Sequence, residues 1–264
     1  VAWSFRLTSY NILADAYASK RLYPDIHPGV LSWPRRAPAL VNRVAKLRPD
    51  IICLQEVQAN HWPELQSAFA RLGWHGSFAQ KRQSRTDGCA ILSQIATPLV
   101  DSHALYFDDG ENGAEPSGHL ALIGTLDTPV GPIYIATTHL RWQAAASKSE
   151  QHIGYRQTLQ LLHLCAELQH EAAGILICGD LNVRPDSPVI QLFNQQGFAD
   201  AYATAPQPTC NPNRRAARID YIFASPRLQA SAMPIPELLD DTLLPSPDEP
   251  SDHLPISAIL TCPS

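Results

Sequence analysis

The chain has 264 residues, 45% of them hydrophobic and 17% charged, with a formal net charge of −5. This is the composition of a globular protein with enough chain for one large α/β domain and a sizeable core. The acidic balance excludes a protein that grips long duplexes by charge alone, and no apolar run reaches the ~18 residues of a membrane span.

Residues 5–13 have strand character and end in a polar turn. Pro34 opens a helical stretch in which Leu40, Val41, Val44 and Leu47 share one face, and Pro49 closes it. Residues 50–54 form a short apolar strand, and residues 61–72 a helix ending at Gly73. Strands are expected over residues 88–93, 120–126 and 133–138. The longest helical pattern covers residues 149–170. A buried strand follows at residues 175–178. Ser187-Pro188 reads as an N-cap followed by a proline in the first turn of another helix. Late strands are expected at residues 219–223 and 256–260. Residues 108–118 and 234–250 are polar or proline-rich loops. Neither is long enough for a domain linker, there is no internal repeat, and a single domain over residues 1–264 is expected.

The opening Val1-Ala2-Trp3-Ser4-Phe5-Arg6 has no basic segment followed by an apolar one, so no signal peptide is expected and the expected location is cytoplasmic. The cysteines Cys53, Cys89, Cys165, Cys178, Cys210 and Cys262 contain no CxxC pair. A structural zinc site is therefore not expected, and reduced thiols are the default. Cys53 and Cys178 lie in apolar runs and read as buried. Nucleic-acid contact would be local, at Lys81, Arg82 and Arg85 or at Arg214, Arg215 and Arg218. The plain alternative is that these are solvated loops.

Polar residues recur where the apolar strands end. Asn11 closes the first, and Gln55-Glu56 follow Ile51-Ile52-Cys53-Leu54. His139 follows Thr137-Thr138, and Asp180 and Asn182 follow Ile175-Leu176-Ile177-Cys178-Gly179. Asp220 follows Ile219, and Asp252-His253 precede Leu254-Pro255-Ile256. Strand ends present groups to a shared cleft. Glu56, Asp180, Asp252, Asn11 and Asn182 offer the hard oxygen atoms that Mg²⁺ or Mn²⁺ prefers. Histidines among carboxylates suit proton transfer, or donation to a developing phosphorane oxygen. Taken singly, Asn11 could cap a turn, Asp220 could be a structural ion-pair partner and Asp252 a turn residue.

In chain order these residues sit in Ser9-Tyr10-Asn11-Ile12-Leu13, Leu54-Gln55-Glu56-Val57, Thr138-His139-Leu140, Gly179-Asp180-Leu181-Asn182, Ile219-Asp220-Tyr221-Ile222-Phe223 and Ser251-Asp252-His253. The ordered set resembles the motifs of the endonuclease/exonuclease/phosphatase superfamily. Asp87-Gly88-Cys89-Ala90-Ile91, Trp33-Pro34-Arg35-Arg36 and Pro185-Asp186-Ser187 resemble its CCR4, nocturnin and Angel branch. The resemblance implies a DNase I-like four-layer α/β sandwich of two mixed β-sheets flanked by helices. It implies metal ligation by Glu56 and Asn11, with Asp252 a further metal-side carboxylate. Asp180 and Asn182 would orient the attacking water or hold a second metal. His253 would be the catalytic histidine, charged by Asp220, and His139 a donor to a non-bridging phosphate oxygen. A buried pairing with Asp220 would favour the imidazolium of His253.

The third motif departs from CCR4-type deadenylases. It reads His139-Leu140-Arg141-Trp142-Gln143-Ala144, with Ala144 where those enzymes carry a proline near the adenine. Arg214-Arg215-Ala216-Ala217-Arg218 stands where they carry a stacking aromatic. Arg141, Trp142, Arg215 and Arg218 are thus the expected substrate contacts, with the arginines able to hold a second phosphate. The resemblance implies a CCR4-like 3′ exoribonuclease acting on single-stranded RNA, with a nocturnin-like NADP(H) 2′-phosphatase as the alternative. An inactive binding scaffold would be free to lose Glu56 or His253. A monomer is expected, with no membrane association, and there are none of the leucine-rich repeats through which CCR4 proteins are recruited.

Overall fold

The computed structural model describes residues 3–110, 113–144, 148–212 and 214–263. Two mixed six-stranded sheets face each other. The first contains β1 (Trp3–Asn11), β2 (Ile51–Gln58), β3 (Trp74–Gln80), β4 (Asp87–Gln94), β11 (Gln229–Ala232) and β12 (Ile256–Cys262), ordered β11-β12-β1-β2-β4-β3. The second contains β5 (Leu99–Tyr106), β6 (Leu120–Leu126), β7 (Ile133–His139), β8 (Gly174–Asp180), β9 (Ala199–Asp200) and β10 (Asp220–Ala224), ordered β5-β6-β7-β8-β10-β9. At the centre of each sheet lies a parallel pair, β1 with β2 and β7 with β8. Parallel neighbours need a crossover, which helices supply on the outer faces. The crossover from β1 to β2 carries α1 (Pro28–Leu31) and α2 (Trp33–Leu47), and that from β7 to β8 carries α4 (Ile153–Leu168).

The strand period of two decides which layer each side chain enters. Phe5 and Leu7 of β1 point inward to join Cys53, Ile91, Leu122, Ile135 and Cys178 in the core between the sheets. Tyr10 and Ile12 point outward, where Ala37, Leu40 and Val44 of α2 and Phe69 of α3 (Trp62–Ala70) cover them. Leu161 and Cys165 of α4 and Phe193 of α5 (Pro188–Gln195) cover the outer face of the second sheet. This is the expected four-layer sandwich. The proline in the first turn of α2 starts that helix, and Arg48 in the left-handed region (φ 49°) before Pro49 ends it. Ser187 caps α5 as expected, its hydroxyl accepting from Val189 N at 3.2 Å. All six cysteines are buried and free.

The central strands were legible because burial on both faces leaves a near-continuous apolar run, as in Ile51–Leu54. The edge strands β3, β5, β9 and β11 were not expected. Each is only partly buried or very short, so none leaves a sustained apolar run.

Register places the functional candidates. Asn11 lies opposite Gln55, and Asp180 sits between His139 on one side and Asp220 on the other. Gly179 makes that row possible. Its φ is +137°, and a Cβ there would lie 1.9 Å from the Thr138 carbonyl oxygen. We expect Gly179→Ala to cost about 2–3 kcal/mol by forcing β7 and β8 apart next to His139 and Asp180. Urea unfolding of the variant beside wild type checks this, and a change under 1 kcal/mol would refute it.

Candidate active site

Glu56 sits where the pairing of β2 with β4 slips between Leu54 and Val57, and its φ is +57°. A left-handed non-glycine residue in a β-bulge is a costly way to build a strand. Here it turns the carboxylate away from the alternating pattern and toward Asn11. Asn11 Nδ2 donates to Glu56 Oε1 at 2.9 Å and to Asp180 Oδ2 at 3.0 Å. The Asn11 Oδ1 atom is engaged by Leu13 N at 3.0 Å, so in this arrangement the amide clamps the two carboxylates. Ligation of a cation through Oδ1 requires the amide to turn. Glu56 Oε2 accepts from Ala14 N at 2.8 Å. Behind them, Gln55 Nε2 ties the sheets together by donating to Ser9 Oγ and Thr137 Oγ1 at 3.1 and 2.9 Å.

Glu56, His139 and Asp180 each offer a buried ligand atom within 4.8 Å of the others. Burial raises the carboxyl pKa of Glu56, and the Asp252 charge adds to it. Burial also pushes Asp180 up to about 7, with the His253 charge opposing. Two buried carboxylates that resist ionisation are the arrangement a divalent cation relieves. The donor set therefore fits a divalent cation.

The two histidines are in opposite states. His253 Nδ1 faces both Asp220 oxygens at 2.9 and 3.1 Å. Burial alone would lower its pKa, but Asp220 and Asp252 overturn this and hold it well above an ordinary histidine. It is an imidazolium at neutral pH, with Nε2 3.7 Å from Asp180 Oδ2. Asp220 is itself fixed by Thr209 Oγ1, which donates to Oδ2 at 2.5 Å. In His139, burial and the Lys81 charge push the pKa far down. Lys81 Nζ lies 3.2 Å from its Nδ1 and 2.6 Å from Asp87 Oδ2. An ammonium only donates, so Nδ1 accepts and the proton sits on Nε2, 3.7 Å from Asp180 Oδ2. His139 is a neutral donor.

Asp252 stands beside this group, its Oδ2 accepting from Tyr23 Oη at 2.8 Å. Asn182, left-handed at φ 55°, has its backbone N–H on Asp180 Oδ1 at 2.9 Å and its Nδ2 on the Leu140 carbonyl at 2.9 Å. The structure thus brings together Asn11, Glu56, His139, Asp180, Asn182, Asp220, Asp252 and His253. Arg141 is exposed, and Trp142 is 68% exposed on a cleft of about 470 Å³ that Asn182, Tyr155 and Arg184 also line. Arg215 is exposed on its loop.

Two expectations need correction. Arg218 is buried, paired with Asp200 and stacked 4.8 Å over Tyr221, so its guanidinium is spent inside the fold and not on a substrate phosphate. Lys81 is no solvated loop residue but a buried partner of His139. The sequence reading missed His119. This buried histidine stands edge-on to His139, with ring centroids 6.1 Å apart, and is held by Ser117 Oγ at 2.9 Å. No motif surrounds it, and only the fold brings it there. Gln157 was missed too. From α4 it accepts the Arg141 N–H at 3.0 Å and donates to Asp109, fixing the backbone just after His139.

Buried carboxylates facing one imidazolium and one neutral imidazole donor, at the joined ends of two sheets, define a phosphoesterase hydrolase. The family model for the "Endonuclease/Exonuclease/phosphatase family" matches residues 8–253, and the chain belongs to that family. Its relatives put it in the Angel and nocturnin branch. It is 31% identical over 207 residues to protein angel homolog 1 of Homo sapiens, covering 71% of this chain and 30% of that protein. It is 32% identical over 220 residues to protein angel of Drosophila melanogaster, covering 78% of this chain and 60% of that one. The chain therefore spans only part of the curated relatives it matches. Among solved structures it superposes on "ANGEL2, a 2′,3′-cyclic phosphatase" with a TM-score of 0.87 at 22% identity, covering 98% of this chain and 95% of that one. The human nocturnin catalytic domain gives 0.75 at 26% identity, covering 98% and 94%. No helix of the described residues is long and apolar enough to cross a membrane.

Proposed function

We propose that the chain is a Mg²⁺-dependent phosphodiesterase that hydrolyses a phosphodiester at the 3′ end of single-stranded RNA. The observation that carries this reading is the pair of opposed histidines over the buried Glu56–Asn11–Asp180 clamp. A divalent cation held by Glu56 and Asp180, with Asp252 and a turned Asn11 as further oxygens, would neutralise charge on the phosphate. Asp180 and Asn182 orient the attacking water in line with the leaving oxygen. The imidazolium of His253 and the Nε2–H of His139 donate to the oxygens on which charge develops.

Both 2′,3′-cyclic phosphate opening and release of a terminal nucleotide are hydrolyses of such a diester. The likeness to ANGEL2 favours the first. Ala144 and the arginine-rich loop favour relaxed base choice in the second. Exposed Arg141 beside the site favours the nocturnin-like alternative, a nucleotide with an extra phosphate. The deciding experiment runs three substrates with Mg²⁺. They are RNA ending in a 2′,3′-cyclic phosphate, RNA with a free 3′-hydroxyl with and without an A-tail, and NADPH. Opening of the cyclic end or stepwise release of 5′-nucleotides supports the proposal. Phosphate released from NADPH with both RNAs intact overturns it in favour of the nucleotide phosphatase. No turnover of any of them, in Mg²⁺ or Mn²⁺, returns the chain to a binding scaffold.

Trp142 gives a further expected result. Its ring is exposed at the cleft and supports no core. Stacking of a base on an aromatic ring is worth ~1–3 kcal/mol. Trp142→Ala should raise KM for RNA by about 10- to 100-fold and leave hydrolysis of bis(p-nitrophenyl) phosphate, which has no nucleobase, unchanged. Equal losses on both substrates would refute a base-stacking role.

A further inference from the structure

Behind His253 lies a thiol that the phosphoesterase reading does not use, Cys210, which completes a ligand set with Asp220 and His253. Cys210, Asp220 and His253 each offer a buried atom within 4.8 Å of the other two. Cys210 and Asp220 flank one loop and His253 lies 33 residues beyond Asp220, so no ligand-spacing motif announces them. Backbone pairing holds them together. Cys210 bridges both Ala217 and His253, and Thr209 Oγ1 accepts from Asp220 N at 3.2 Å while donating to the Asp220 carboxylate. Among the described residues Cys210 Sγ makes only a weak hydrogen bond, to the Ala217 carbonyl at 3.5 Å. The donor chemistry differs from that of the Glu56–Asp180 clamp. A thiol, an imidazole and one carboxylate are a zinc set, whereas carboxylates and amides suit Mg²⁺. Ligands ~2.0–2.3 Å from a tetrahedral zinc lie within ~4 Å of one another, a spacing this trio reaches with small shifts.

We propose that Cys210, Asp220 and His253 form a second cation site, selective for thiophilic divalent ions of the Zn²⁺ type, whose occupation switches off the histidine in front of it. Charge balances on binding. The ion displaces the Cys210 Sγ proton and the His253 Nδ1 proton shared with Asp220, so two positive charges enter and two protons leave to solvent. With Nδ1 on the metal, the His253–Asp220 hydrogen bond is replaced, and the ring is held by the ion instead of by the carboxylate that orients it. Binding itself is independent of the proposed function. Only the inhibitory consequence rests on that reading, through the role given to His253.

The test is a Co²⁺ titration of the whole chain in excess Mg²⁺, beside Zn²⁺ inhibition of hydrolysis. We expect a thiolate-to-Co²⁺ absorption in the near ultraviolet that saturates at one ion and is lost in Cys210→Ser and Cys210→Ala. Both variants should keep their Mg²⁺-supported rate and need at least about tenfold more Zn²⁺ for half inhibition. A wild-type chain with no thiolate absorption overturns the site. So does Zn²⁺ inhibition that is unchanged in Cys210→Ser, which would place the ion on Glu56 and Asp180. If circular dichroism shows both variants unfolded, zinc X-ray absorption of the wild type decides. One sulfur neighbour at ~2.3 Å supports the site, and none overturns it. A chain that hydrolyses nothing would sink the proposed function and leave the cobalt spectrum to settle the site.

Discussion

Replacing Glu56 with glutamine is expected to lower Mg²⁺-supported turnover by at least about 10³-fold, roughly 4 kcal/mol of transition-state stabilisation, without lowering the melting temperature. Glutamine fills the same volume, accepts the left-handed backbone as glutamate does, and keeps an oxygen for Ala14 N. What it removes is charge and the acceptor for Asn11 Nδ2, which the Asn11 amide can recover by turning its oxygen to the new amide. That charge is buried, beside Asp252 and Asp180, and burial already opposes its ionisation. Without a cation, the ionised carboxylate therefore strains the fold, and its loss should leave the melting temperature equal or higher. Stability and activity move in opposite directions, as they do where a site is built against the preferences of the fold. Thermal melting without divalent ions, beside single-turnover hydrolysis with Mg²⁺, checks both halves. A variant that melts normally and retains wild-type turnover would remove Glu56 from the chemistry. One that melts far lower would make its role structural.

Much of this site was legible because it is built at strand ends. Asn11, His139, Asp180 and Asp220 each close or open a strand whose apolar residues announce it, and the ordered motifs supply the rest. Periodicity has no voice where the chain folds back. The segment after β3 looks like a solvated basic run, since Lys81 is followed by Arg82 and Arg85. In space its members part company. Lys81 turns under His139, Arg82 stacks 3.7 Å over Tyr106, and Arg85 donates to the Ser117 carbonyl at 3.1 Å. A lone lysine carries no mark of burial in its sequence context, because the partner that makes burial tolerable, Asp87, is also polar. The same limit explains Arg218, expected at a phosphate and found on Asp200. The edge strands failed for a different reason. A strand with one neighbour buries few side chains, so β5 hardly alternates, and β11 alternates only over four small or polar residues.

Arg36 joins the two themes, since the motif that holds it was recognised but its work was not. The guanidinium is 1% exposed at the first turn of α2. Nη1 donates to the carbonyls of Ile12 and Leu13 at 3.0 and 2.9 Å, and more weakly to Pro250 at 3.4 Å, while Nε donates to Leu31 at 3.1 Å. Burial lowers the Arg36 pKa, and Asp15, 3.6 Å from Nη2, offsets part of that. These carbonyls belong to the segment that leaves β1 after Asn11, to α1, and to the residue before Ser251-Asp252-His253. One side chain thus fastens the segment after Asn11 to the residue before Ser251, the two segments that carry Asn11 and Asp252-His253. Removing it leaves several buried carbonyls without donors, each costing about 1–3 kcal/mol where water does not replace the bond. We expect Arg36→Met to cost about 3–5 kcal/mol in urea unfolding. Arg36→Lys should recover less than half of that, because one ammonium cannot span a fork of acceptors. Turnover measured well below the melting temperature should also fall, since Leu13 sets the Asn11 amide that clamps Glu56 and Asp180. A loss under 1 kcal/mol in Arg36→Met would mean that α1 and α2 hold this corner by apolar packing alone.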